Sequence, residues 1–250
     1  MPIRRFSADA ASSSDGVIRG DIVTLAGVVA ADLSGDVGAQ TRDALALIER
    51  RLAAAGTDRY QVLTAHIWLR DMQHFRAMTA AWNEWVDPDN PPARTCVSGI
   101  AADAPSEASV QIVVSAVVPE LAQALTVARG PASIERYGLI HAPPRPTMCL
   151  AIAYRDWFSV CMTAPDVSGD IAAQTRQILN SFDTLMADAG TDKSRLLTAE
   201  IWIKRMDDFD AMNAVWEDWL APGQAPTRAC TRADMSRPEC LVEIRVTAAR

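Results

Sequence analysis

The feature that most constrains this chain is an internal repeat. Residues 32–96 align without a gap on residues 166–230 at a constant offset of 134, and about 30 of the 65 aligned positions are identical. Past Cys96 and Cys230 the offset falls to 132, so the second copy is two residues shorter in a loop. The 250 residues therefore read as two fused units of roughly 120 residues, an ordinary domain size. The expected division is a first unit over 1–118, a linker over 119–133 and a second unit over 134–250.

Both copies carry the same sequence of periodicities. From Thr41 to Gly56, Leu45, Ile48, Leu52 and Ala55 fall on one helical stripe, answered by Leu179, Phe182, Met186 and Ala189. Gly56 and Gly190 close these helices, where a left-handed residue is favoured. Leu63, Ala65, Ile67 and Leu69 then alternate with Thr64, His66, Trp68 and Arg70, which is the period of a strand. A second helix shows Phe75, Met78, Trp82 and Trp85, repeated as Phe209, Met212, Trp216 and Trp219, and a Pro-rich loop stops it. Strands near 94–101 and 109–118, then 228–234 and 241–248, complete the units. With two strands ahead of the first helix, the predicted order per copy is β-β-α-β-α-β-β. That is an α+β fold in which two helices cover one face of a mixed sheet. The opposite face carries Trp68 and Trp202 with Gln111 and Glu243, and tryptophan there calls for cover by the other copy or another chain.

Composition removes several function classes. The net charge of −7 opposes sequence-independent nucleic-acid binding, which needs a surplus of Lys and Arg. No apolar run approaches the ~18 residues of a membrane span. The opening Met1-Pro-Ile-Arg-Arg-Phe-Ser lacks the apolar core of a secretory signal, so a cytoplasmic location is expected. Five cysteines without close pairing argue for reduced thiols, and three histidines without CxxC or HExxH argue against a metal site. P-loop, GxGxxG and Ser/His/Asp arrangements are absent.

The chemistry-bearing residues lie on the last two strands of each copy. Arg94 follows Pro91-Pro92-Ala93, and Arg228 follows Ala225-Pro226-Thr227, so each guanidinium starts from a restrained backbone. Such a group suits a carboxylate in bidentate fashion, although on spacing alone a surface or inter-repeat ion pair is the commoner role of an arginine here. Cys96 and Cys230, two residues on, share its strand face and read as small wall residues rather than nucleophiles. Alternation turns Val242, Ile244 and Val246 toward the helices and Glu243 away from them. A carboxylate there suits activation of a water, or an ion pair with Arg245. Its counterpart in the first copy is Gln111, which cannot act as a base.

The run NPPARTC, the V-x-I-x-V strand and the preceding DFxAMNxxW helix together resemble the Rid (reactive intermediate deaminase, YjgF-like) superfamily, over about 30–118 and 164–248. The resemblance implies a chorismate-mutase-like fold for each of two tandem units, with sites in clefts between adjacent units. It implies homo-oligomers, with a trimer favoured. It implies hydrolysis of reactive enamine or imine carboxylates to 2-oxo acids and ammonia, without metal or cofactor. The family's carboxylate-binding Arg falls on Arg94 and Arg228, its pocket-lining Cys on Cys96 and Cys230, and its water-positioning Glu on Glu243, with Gln111 opposite. On that basis Arg228 and Glu243 of the second copy are the expected catalytic pair, and Arg94, Cys96, Cys230 and Gln111 are expected to contact substrate. Another small-carboxylate enzyme on the same scaffold, or a carboxylate-binding protein, remains an alternative; RNA cleavage, sometimes assigned to the family, is opposed by the acidic pI.

Overall fold

The structure, a computed structural model, describes residues 3–6, 14–102, 104–129 and 132–250, with the side chains of 127–129 not included. Met1, Pro2 and Ser7 of the opening segment and Gly130 and Pro131 of the linker lie outside the described residues.

The first copy runs β1 (Ile3–Phe6), β2 (Gly16–Arg19), β3 (Ile22–Leu25), α1 (Val37–Ala54), β4 (Val62–Leu69), α2 (Phe75–Trp85), β5 (Ala93–Ser98) and β6 (Val110–Val117). A helix, α3 (Pro119–Arg129), follows. The second copy runs β7 (Ile134–Ile140), β8 (Met148–Tyr154), β9 (Trp157–Thr163), α4 (Ile171–Asp188), β10 (Leu196–Ile203), α5 (Phe209–Trp219), β11 (Thr227–Arg232) and β12 (Val242–Ala249). Each copy thus has three strands ahead of its first helix, not two. Of the additional strands, β1 is largely solvent-facing and β7 is mostly half-buried, and neither shows the clean alternation that marks a strand with one buried face. Most of the expected linker is α3, opened by a proline that suits a first helical turn.

The repeated helices start and stop alike. Asp36 accepts from the Ala39 N–H at 2.8 Å and Asp170 from the Ala173 N–H at 2.8 Å, an N-cap in each copy. Gly56 and Gly190 take φ of 83° and 74° after the helices, where a side chain would strain the backbone. Among the described residues no helix is long and apolar enough to cross a membrane.

Leu45, Ile48 and Leu52 of α1 and Met78 and Trp82 of α2 pack on Ile67 and Ile112 to form one core. Ile178, Leu179, Phe182, Met212 and Trp216 pack on Ile201 and Ile244 to form the other. All the strands nevertheless belong to one sheet, in the order β1-β2-β3-β6-β4-β5-β8-β9-β12-β10-β11, with β7 on β8. Only β4–β5, β10–β11 and β5–β8 are parallel. The copies join at β5 and β8, where Ala93 pairs with Cys149. A small apolar cluster holds the seam, with Val97 and Trp68 from the first copy against Trp202, Met235 and Cys240 from the second. The tryptophans that call for cover receive it from the other copy.

Candidate active site at the seam between the copies

The register of the strands decides which groups meet. Glu243 lies opposite Trp202 and Thr163, so its side chain leaves the sheet on the face away from α4 and α5. That face of the second copy lies against β5 of the first. Glu243 accepts from the backbone N–H of Cys96 and from the Cys161 thiol at 3.4 Å. Thr95 Oγ1 donates in turn to Cys161 Sγ at 3.0 Å, so a short relay crosses the seam.

Arg94 stands on the same strand, two residues before Cys96, and its charge and that of Glu243 favour one another. It is 4% exposed, and Glu243 is 5% exposed. The guanidinium lies over the rings of Phe75 and Trp82, at 5.5 and 5.2 Å, and its Nη2 approaches Met78 Sδ and Thr79 Oγ1 at 3.4 Å each. Trp82 is itself fixed from the second copy, donating from Nε1 to the Thr147 carbonyl at 2.9 Å. Nε and Nη1 of Arg94 are buried and have no hydrogen-bond partner among the described residues. Orphaned donors on a buried cation are costly, and most buried polar groups avoid that state.

Electrostatics follow from this burial. Desolvation raises Glu243 to about 7, opposed by the Cys161 thiol, the Cys96 N–H and the Arg94 and Arg245 charges. Burial pushes Arg94 down, and the neighbouring Cys96 and Glu243 pull it back. Burial also raises Cys96 to about 11 and holds Cys161 well above the usual thiol range. Neither thiol is a ready nucleophile at neutral pH. Arg245 makes its ion pair with Glu200, leaving Glu243 outside the structural pair open to it in the sequence.

Within the chain, the second copy's own Arg228 does not join Glu243. Strand β10 lies between their strands, and Arg228 is registered with Ala199 whereas Glu243 is registered with Trp202. Arg228 extends on the helix side over Phe209 and Trp216, is exposed, and donates to Asn213 Oδ1 at 2.6 Å. Cys230 is half-buried beside it. Gln111 is buried away from either arginine's partners and accepts from the Ala101 N–H at 3.1 Å. The structure therefore gathers Arg94, Cys96 and Glu243, and leaves Arg228, Cys230 and Gln111 elsewhere.

Cys161, Thr95 and Thr79 are site residues that the sequence alone does not single out. Cys161 corresponds to Gly27, since Met162 pairs with Ile244 as Val28 pairs with Ile112. A Cβ on Gly27 would lie 2.5 Å from Gln111 Nε2, so a side chain there would push the Gln111 amide out of its present position. Among the described residues no three His, Cys, Asp or Glu side chains are grouped to hold a metal ion.

The family model described as Endoribonuclease L-PSP matches residues 3–118 and again 159–250. The chain belongs to that family. A RutC family protein of Haemophilus ducreyi is 43% identical over 84 residues, covering 34% of this chain and 72% of that protein. The 3-aminoacrylate deaminase RutC of Acinetobacter baylyi is 30% identical over 76 residues, covering 30% of this chain and 60% of that protein. A crystal structure of a chorismatase superposes with a TM-score of 0.72 at 14% identity, over 96% of this chain and 78% of that one. At that identity the likeness is one of fold, and its span agrees with two tandem units of the Endoribonuclease L-PSP family in one chain. The Rid-type resemblance drawn from the Arg-x-Cys loop holds for both copies.

Proposed function

We propose that the chain hydrolyses a small imine or enamine carboxylate to a 2-oxo acid and ammonia, at one site built from both copies. The observation that carries this reading is a buried guanidinium with two unanswered nitrogens beside a carboxylate raised to about 7. Arg94 takes the substrate carboxylate in a charge-assisted pair. Glu243, half-ionised near neutral pH, accepts a proton from water as its oxygen bonds to the imine carbon. The C=N electron pair moves onto nitrogen, the nitrogen is protonated, and the tetrahedral intermediate expels ammonia as its hydroxyl loses a proton. Cys96 contributes a backbone N–H, and Cys161 and Thr95 orient the Glu243 carboxylate. The naming of a 30%-identical relative as a 3-aminoacrylate deaminase is in keeping with the reaction class.

The test is ammonia release from 2-iminopropanoate generated in situ. The full chain is expected to accelerate it over the uncatalysed rate, with loss of acceleration in both Arg94→Met and Glu243→Gln. An unaccelerated reaction across a panel of imine and enamine carboxylates would overturn the reading.

A further inference from the structure

A second concavity lies away from Glu243, where α3 crosses between the copies. It measures about 490 Å³ and is lined by Gln61, Val117, Gln123, Ile134, Arg136 and Tyr154, among others. That volume falls in the range of small-molecule sites, which combine apolar walls with a few fixed polar groups. Arg136 is the cation of this wall. It is held from behind: Nε donates to the Pro91 carbonyl at 3.0 Å and Nη2 to the Tyr60 carbonyl at 3.4 Å. Among the described residues no carboxylate comes within ion-pair distance of it; its burial disfavours the charge, and Cys149 and the more distant Asp87 only partly offset that. A guanidinium has five donors, and two carbonyls leave the rest for a further acceptor.

We propose that this seam cavity is a second binding site, for a small organic monocarboxylate, with Arg136 as its anchor. One guanidinium, fixed by two backbone carbonyls, matches one carboxylate, whereas a phosphate is better answered by several cations. Val117 and Ile134 provide apolar contact for a short carbon chain, and the Gln61 and Gln123 amides provide hydrogen bonds to a hydroxyl or amide on it. Tyr154 is not available as a free donor, since its hydroxyl already donates to Asp21 at 2.6 Å. The site is independent of the chemistry assigned to Arg94.

The experiment is calorimetric titration of the full-length Arg94→Met chain, which lacks the other carboxylate anchor, with lactate and with N-acetylglycinate. Saturable one-to-one binding is expected, weakened about tenfold or more by an added Arg136→Met. Gln123→Trp, which fills the cavity without touching the anchor, should weaken it similarly and keeps the test meaningful if Arg136→Met fails to fold. Absence of saturable binding, binding indifferent to the wall substitutions, or binding of inorganic phosphate in place of the carboxylates would each overturn the proposal. Ammonia release does not enter the readout, so its failure and that of the deaminase reading are separate results.

Discussion

At the scale of single residues, the two arginines of the repeat have opposite circumstances and should respond oppositely to substitution. Arg94 is a buried charge without an ion-pair partner, and such a charge is expensive in an apolar setting. Arg94→Met is expected to leave urea stability unchanged or higher while lowering kcat/KM about a hundredfold. Arg228→Met, at an exposed position, should change stability by no more than about 0.5 kcal/mol and leave turnover intact. The titration of Glu243 gives a second check. Its folded pKa of about 7 exceeds the ordinary glutamate value of 4.5, so the folded state binds the extra proton between those limits. Stability from this group therefore falls as pH rises from about 4.5 to 7, and Glu243→Gln should flatten that slope in denaturation measured across the range. His66 works in the other direction. Burial and Arg245 depress it from 6.5 to about 3, so its contribution is present above 6.5 and lost as pH falls toward 3. Substituting the two separately should separate the slopes. The positions of Arg94 and Cys96 are legible in the sequence because their loop recurs, and Glu243 is legible because its strand recurs with Gln111 in its place. Which arginine meets Glu243 is not legible, because that depends on which copy's β5 lies at the seam. Cys161 has no signal at all, since its counterpart is a glycine.

At the scale of elements, the helices and the last strands of each copy follow from periodicity, and their boundaries match to within a few residues. The fastening of α1 and α4 does not. Gln40 and Gln174, both at helix starts and fully buried, each donate from Nε2 to three loop carbonyls and accept the N–H of the residue just before the last strand. In a sequence a glutamine in the first turn of a helix reads as a solvent-facing residue, and only the fold brings Ser109 and Leu241 to it. Gln174→Leu would leave the Leu241 N–H and the Val167, Gly169 and Glu239 carbonyls short of partners. A loss of about 2–4 kcal/mol in urea denaturation is expected, with the midpoint moving and the slope retained. The extra strands β1 and β7 escape periodicity for a related reason, since β1 is largely exposed and β7 is half-buried along most of its length, so neither needs to alternate.

At the scale of the whole molecule, the repeat is two cores on a single sheet, and the seam carries polar ties as well as apolar ones. Asp21 of the first copy accepts from the Tyr154 hydroxyl at 2.6 Å and from Arg155 Nε at 2.7 Å, both in the second copy. This ion pair is almost fully buried, with side-chain exposures of 6% and 5%. Asp21→Ala removes one acceptor from two donors and should cost about 2 kcal/mol or more, read as a lowered thermal midpoint. The seam also makes the duplication geometrically unequal. The first copy supplies the guanidinium and the second supplies the carboxylate, so one chain holds one complete pair. The most direct test is a crystal structure of the chain with 2-oxobutanoate bound. The expected result is a carboxylate on Arg94, with the carbonyl carbon facing Glu243 across the seam. A carboxylate on Arg228, with Arg94 untouched, would contradict it.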